Sequence, residues 1–537
     1  MNPVAAVANS GTPWLTVAGG IPLLGAILVA LLPSRLAKMT ALLFSLADLV
    51  WVIVMATQFN TSGPVFQFTE EYSWIPQFGV HYALGVDGIA LVLIGMTAVL
   101  MPVVILASWH DADAVPSPSQ GDNPRTAGTA AGTRSPRTYF ALMLALDTMM
   151  IGTFAATDVF LFYVFFEAML IPMYFMIGSF GVGPRQYAAV KFLLYSLLGG
   201  LLMLVAVIAL YVYAGQSAVT GHHGTFIFYT LEHVALSPTV QKWLFLGFFI
   251  AFAIKAPLWP FHTWLPDAAS SAQPGAAVLM LGVMDKIGTF GMIRYCLELF
   301  PDGFHYFTPL ILVLAVISII YGAIVAIGQT SMKRLIGYTS ISHFGFIVLG
   351  IFALTSQGQS GATLYMVNHG FATGALFLLA GFLIVRRGSD KISDYGGVQK
   401  VAPVLAGLFL VSGLAGLSLP GLSTFVSEFL VLVGTFSRYK VAGAFAVAGI
   451  ILAAIYILWM YQRTMNGPTA EAVVGMADLR LRELLAVVPL VALIIAMGIY
   501  PKPVLDVINP AVKATMSQVG SVDPAPAHPA AENGAQP

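Results

Sequence analysis

The sequence predicts an all-α integral membrane protein of about fourteen transmembrane helices, with some helices broken at mid-membrane. Three observations carry this reading. The 537 residues are 58% hydrophobic and only 9% charged, whereas soluble domains run near 25% charged; mean hydropathy is +0.86. Apolar runs long enough to span recur along nearly the whole chain. Two of these runs carry proline beside an ionisable residue.

The runs lie near 12–33, 40–58, 84–108, 138–156, 158–180, 188–214, 242–260, 274–298, 308–328, 333–353, 361–385, 402–430, 441–462 and 480–500. At 1.5 Å per residue, roughly twenty residues cross a 30 Å hydrocarbon core. The 402–430 run is interrupted by Pro420-Gly421 and reads as one broken helix. Loop charge sets the orientation. The segments on one side hold sixteen Lys and Arg, from Arg35 to Arg482, against five on the other, Lys242, Arg438, Lys440, Lys502 and Lys513. The basic side is the cytoplasmic one, so both termini are expected on the periplasmic or outer face of a bacterial plasma membrane. The N-terminus MNPVAAVANSGTPW lacks a basic segment and does not read as a cleaved signal. Residues 110–137, rich in Ser, Pro and Gly, read as a flexible cytoplasmic loop, and 517–537 as a disordered tail.

Composition also excludes function classes. A formal net charge of zero argues against nucleic acid as a partner. The single cysteine, Cys296, excludes a Cys-ligated iron–sulfur cluster, a redox pair and an internal disulfide. No glycine-rich nucleotide loop or zinc-protease signature is present.

The two interrupted runs are FFIAFAIKAPLWPFHTWLPDAA, with Pro257 and Pro260 just after Lys255, and GLAGLSLPGLSTFVSEFLVL, with Pro420 ahead of Glu428. Proline lacks a donor and frees a carbonyl on the preceding turn. Inside a bilayer that is tolerated where protein or water satisfies the freed group, and paired broken helices in two halves of a chain point to an inverted-repeat transporter.

Ionisable residues inside the runs are the candidate functional groups, because a charge at mid-depth costs roughly 2.5–3.5 kcal/mol on insertion scales. Glu167 has no charge within eight residues on either side. Lys255 stands at a break, where a buried lysine readily gives up its proton. Lys286 follows Asp285, and neighbours on a helix point about 100° apart, so the lysine faces the bundle and the aspartate another helix. His343 and His369 on adjacent runs read as a relay, with Glu428 ending it. Asp147 is a secondary candidate with an equally good structural role. Asp87 and Asp158 lie near run ends and are expected to be solvated, and Arg294–Glu298 reads as a local ion pair. The competing reading for all of these is a passive scaffold held by buried ion pairs.

The stretches FEAMLIPMYFMIGSFG, AFAIKAPLWPFHTWLPDAASSAQPGAAVLMLGVMDKIGTFGMIRY, KRLIGYTSISHFGF and LSLPGLSTFVSEFLVL resemble the antiporter-like subunits of respiratory complex I, the proton-pumping NADH:quinone oxidoreductase. The resemblance covers roughly residues 80–500, and Glu428, where the sister L and N subunits usually carry lysine, is similar to the M-type branch. It implies two inverted five-helix repeats near 138–298 and 308–462, flanked by an N-terminal part over 1–137 and a C-terminal helix over 463–516. It implies that Glu167 pairs with the pumping lysine Lys255, that Lys286, His343 and His369 connect to it, and that Glu428 ends the exit path. It further implies no cofactor or metal in this chain, with FMN and iron–sulfur clusters in other subunits, and sister antiporter-like chains, lipids, protons and water as partners. The alternative within the same resemblance is a subunit of an Mrp-type cation/proton antiporter, and membrane-bound hydrogenases use relatives as well.

Overall fold

In the computed structural model the described residues are 11–113 and 135–525. Their helices are α1 (Trp14–Leu31), α2 (Ser34–Gln58), α3 (Gly88–Ala107), α4 (Pro136–Ala155), α5 (Val159–Phe180), α6 (Arg185–Ala214), α7 (Pro238–Lys255), α8 (Trp264–Ser271) and α9 (Pro274–Leu297). They continue with α10 (Pro301–Ile327), α11 (Met332–Phe352), α12 (Ser356–Arg387), α13 (Pro403–Gly416), α14 (Ser423–Arg438), α15 (Lys440–Met465), α16 (Leu481–Ile499) and α17 (Lys502–Gln518). Twelve of these are long and apolar enough to cross a membrane, and the interrupted passages α7–α8 and α13–α14 bring the crossings to the expected fourteen. The two interrupted passages are the seventh and twelfth. Successive passages alternate in direction, so an odd separation of five places the two breaks in oppositely directed helices, the geometry of an inverted repeat.

Burial locates the axis of the bundle. The apolar window of α9 is 100% buried and those of α11 and α12 are 94% buried, against 33% for α1 and 28% for α2. The central three therefore see only protein, while the first two leave apolar side chains such as Leu24, Leu43 and Val50 outward, as helices bordering lipid do.

The first break satisfies the backbone groups that Pro257 frees. Pro257 cannot donate to Ala253 O, and Leu258 N takes its place at 2.9 Å. The carbonyl of Ile254 is then left over and accepts the Trp264 indole N–H at 2.9 Å, while Trp259 N donates to Ser318 Oγ of α10 at 2.8 Å. At the second break Leu419 N reaches back to Leu414 O, and Ala415 O accepts both Ser418 N at 3.0 Å and Thr424 Oγ1. Pro260 and Pro420 are exposed at their turns, whereas Pro257 is buried. The breaks thus end helices next to Lys255 and ahead of Glu428, and at the first of them the freed carbonyls are paired.

Three features lie outside the sequence expectation. The chain is not wholly α: Gln67–Ile75 and Val80–Val86 form an antiparallel hairpin, β1–β2, with Tyr72 opposite Tyr82 and Gly79 turning at φ 63°. Its nine- and seven-residue strands fall between spanning runs, where an apolar-run reading registers only a polar gap. The hairpin caps the bundle end, because Glu70 accepts Leu15 N at 2.7 Å and Thr157 N donates to Ala83 O at 2.9 Å. Second, the C-terminal region 463–516 contains two helices, α16 and the amphipathic α17, which packs on α3 and α12. Residues 517 and 518, expected in the tail, still belong to α17. The remaining tail from 526 and most of the 110–137 loop fall outside the described residues.

Third, Asp87 and Asp158 are buried rather than solvated, at 1% and 0% exposure. Each caps a helix: Asp87 accepts Ala90 N at 2.8 Å, and Asp158 accepts Leu161 N and His81 N at 2.9 Å. Arg294 is likewise more than half of a local pair. Its guanidinium holds Asp87 at 2.7 Å and Glu298 at 3.2 Å, and Phe66, Phe228 and Phe290 surround it. Glu298 also accepts Thr515 Oγ1 of α17 at 2.5 Å. This cluster ties α3, α9 and α17 at one point. Arg294→Met leaves two carboxylates buried without their cation, a loss of about 3–5 kcal/mol; the expected result is a large loss of intact assembly on a native gel and a lowered melting temperature in detergent.

Candidate functional site

The site follows from where the central helices cross. α9 is irregular: π-helical turns occupy Met280–Met284 and Met292–Leu297, on either side of Lys286. Such turns insert a residue, re-aim the side chains beyond them and recur at functional sites. Lys286 is 0% exposed. Its Nζ donates to Leu281 O and stands 2.6 Å from His369 Nδ1 of α12, with the Phe344 ring 5.0 Å away. An ammonium is donor-only, so this contact requires His369 to accept at Nδ1.

From His369 the polar line continues. The His343 ring on α11 lies 5.2 Å from the His369 ring, centroid to centroid, and its Nε2 is 3.3 Å from the Tyr456 hydroxyl of α15. Tyr365, one turn before His369 on α12, has its ring 5.8 Å from that of His343 and donates its hydroxyl hydrogen bond to Glu428 Oε1 on α14. Asn368 anchors α14 against α12 by donating to Ser423 O at 2.6 Å and Ser427 Oγ at 3.2 Å. Lys286, His369, His343, Tyr365 and Glu428 therefore form one buried polar line across α9, α12, α11 and α14. Tyr365 and Tyr456 were not legible as members of it. The available signal was Tyr365 four residues before His369, hence on the same helix face.

Glu167 and Lys255 sit apart from that line, at a second polar station. Lys255 is 1% exposed, its Nζ has no hydrogen-bond partner and lies 4.7 Å over the Phe166 ring. Glu167 Oε1 is buried and likewise unpartnered. No ion pair within 4.0 Å joins them among the described residues. Room for the Glu167 carboxyl is made on α6: a Cβ at Gly200 would lie 1.6 Å from its Oε1. Asp147 on α4 is 0% exposed with both oxygens unpartnered, so no hydrogen bond ties it to the other six candidates. His262, in the turn after Pro260, is a further buried histidine with both ring nitrogens unpartnered. Its signal was the FHTW stretch itself.

Charge at the basic end of the bundle is paired differently. Asp267 of α8 bridges Lys191 of α6 at 2.7 Å and Arg334 of α11 at 2.6 Å. Just beyond the end of α3, burial pushes the Asp111 carboxyl up to about 6, against the pull of Ser108, Arg482 and Lys333. What this arrangement can do chemically is move protons: it presents amine, imidazole, phenol and carboxyl groups in sequence, buried from lipid and from bulk water, on helices that are otherwise apolar. Among the described residues no group of three His, Cys, Asp or Glu side chains is placed to hold a metal ion.

A fourteen-pass bundle with two inverted interrupted helices and a buried Lys–His–Glu line defines the class of antiporter-like membrane subunits. The comparisons agree. Residues 156–455 match the family described as NADH:quinone oxidoreductase/Mrp antiporter, TM, and the chain belongs to that family. Within it, the chain groups with the NADH-quinone oxidoreductase subunit M proteins. It is 57% identical to the subunit M of Mycobacterium tuberculosis, over 98% of each chain, and 38% identical to that of Rhodobacter capsulatus, over 89% of this chain and 90% of that one. Among solved structures it is similar to a chain of respiratory complex I from Thermus thermophilus with bound NADH, at 31% identity and TM-score 0.83 over 94% of this chain and 100% of that one. A chain of the Mrp complex from Dietzia sp. DQ12-45-1b shares the fold at 20% identity and TM-score 0.80, over 94% of this chain and 98% of that one.

Two expectations follow from the geometry. Tyr365→Phe removes the donor to Glu428 and leaves a buried acceptor unsatisfied, about 1–3 kcal/mol; proton transfer through the line is expected to slow about tenfold while helix content by circular dichroism stays unchanged. Gly200→Ala puts a methyl where the Glu167 carboxylate lies; in membrane vesicles carrying the whole complex it is expected to lose NADH-driven acidification to the same extent as Glu167→Gln without preventing assembly.

Proposed function

We propose that this chain is a proton-translocating membrane-arm subunit of an NADH:quinone oxidoreductase, a translocase component driven by redox chemistry in other subunits. The single observation that supports it most is the buried polar line from Lys286 through His369, His343 and Tyr365 to Glu428, hydrogen-bonded at its two ends and in ring contact between. Glu167 and Lys255 form the control station. A buried ammonium persists when a carboxylate stands beside it and gives its proton away when that carboxylate is withdrawn. In the structure no ion pair within 4.0 Å joins the two among the described residues, and Lys255 Nζ and Glu167 Oε1 have no hydrogen-bond partner, an arrangement that a small movement of α5 against α7 alters strongly. FMN and iron–sulfur clusters are carried by the partner subunits on this reading, and this chain's own residues hold and pass protons at Nζ, imidazole nitrogen, phenol oxygen and carboxylate. The chain sits in a bacterial plasma membrane with both termini outside, as loop charge favours, and its partners are the sister antiporter-like chains of the membrane arm.

The test uses membrane vesicles containing the whole complex. Lys255→Ala and Glu167→Gln are expected to assemble on a native gel and to lose NADH-driven acidification by at least about tenfold, as removal of a proton-transfer group does. Wild-type pumping in both variants would return the buried charges to a structural role. Sodium/proton exchange without any NADH requirement would instead favour the Mrp-type antiporter.

A further inference from the structure

We propose that Asp285 is a proton-carrying carboxyl group that joins Lys255 to Lys286, completing the path between the control station and the polar line; this rests on the proton-translocating function proposed above. The starting observation is that Asp285 is 0% exposed and neither of its carboxylate oxygens has a hydrogen-bond partner. Several other buried acids in this bundle are occupied structurally, although Asp48 and Asp147, away from both lysines, are also without hydrogen-bond partners. Asp87 and Asp158 cap helices, and Glu298 holds Arg294 and Thr515. A carboxyl retained at the centre of the most buried helix with no such partner has no structural task in this state.

Its direction is set by packing. Gly288, one turn further along α9, lies directly on the end of α7: a Cβ there would come 2.6 Å from Phe252 O and 2.7 Å from Ala256 N. Asp285 occupies the same helix face three residues earlier, which aims it at the turn that carries Lys255. Lys286, the next residue, leaves the helix in a different direction and reaches His369. The π-helical turn over Met280–Met284 ends immediately before Asp285. Without Asp285 the line from Glu428 stops at Lys286, and Lys255 has only Glu167 to answer to.

The transfer is balanced. The Lys286 ammonium gives a proton to the Asp285 carboxylate, leaving an amine and a carboxylic acid. The acid then gives that proton to the Lys255 amine, restoring the carboxylate and forming the ammonium. No electron moves, and the reverse order carries a proton the other way.

The experiment compares Asp285→Asn, Asp285→Glu and Lys255→Ala in vesicles bearing the complete complex. It measures NADH:quinone turnover, NADH-driven acidification, and NADH oxidation by an artificial acceptor as a control for the redox part. Asp285→Asn is expected to keep artificial-acceptor activity and to lose at least fivefold in both turnover and acidification, with Asp285→Glu retaining most of each. Wild-type acidification in Asp285→Asn while Lys255→Ala fails would overturn the role of Asp285 and leave the function standing. Wild-type behaviour of both would overturn the function and this inference together. Should Asn prevent assembly, infrared difference spectra of the working complex decide: the carboxyl band that changes on NADH addition is expected to shift in Asp285→Glu, and identical spectra would refute the proposal.

Discussion

Every part of this fold answers to one constraint: a backbone in hydrocarbon has no water to bond to, so each N–H and C=O must find a partner in the protein. The interrupted helices show how narrow the solutions are. Pro257 removes one donor, and two carbonyls must be rehoused; Leu258 N takes Ala253 and the Trp264 indole takes Ile254. The break is thereby sealed, and Lys255 is left at a helix end rather than inside a regular helix. At the second break the Thr424 hydroxyl joins Ser418 N on the Ala415 carbonyl, tying the start of α14 to the end of α13.

The same constraint sorts the charged residues into two kinds. Arg294, Asp87, Glu298, Lys191, Asp267 and Arg334 are all paired, at bundle ends or between helices. They hold elements together, and the hairpin and α17 are seated where they are because of the cluster around Arg294. Glu167, Lys255 and Asp285 lack such partners, although burial makes an unpaired charge costly. A scaffold would be expected to pair them, since breaking a buried pair is strongly destabilising. Their unpaired state is what a device that exchanges partners requires.

Local irregularity places the chemistry. Two π-helical turns in α9 flank Lys286, and without them a regular helix would point Asp285 and Lys286 differently relative to α7 and α12. Gly200 provides the space that the Glu167 carboxyl fills, and Gly288 lets α9 settle on the end of α7. These are small features with a direct consequence: they decide which titratable groups meet.

The sequence by itself determined the membrane-spanning class, the fourteen passages, the two breaks and the identity of the titratable residues, because apolar run length and a charge within such a run are local properties set by the solvent around the helix. It did not determine partners. Asp87 and Asp158 read as solvated because they sit at run ends, and only the docking of the β1–β2 hairpin and α9 buried them. Tyr365 read as one aromatic among many until α14 brought Glu428 to its hydroxyl. The short strands and α17 were hidden because alternating or amphipathic segments carry no spanning signal, and their stability comes from the surfaces they cover. That Glu167 and Lys255 are apart, and that Asp285 faces one lysine while its neighbour reaches a histidine, are consequences of helix crossing, which depends on residues far apart in the chain, 83 positions for Lys286 and His369, and is decided only when the bundle packs.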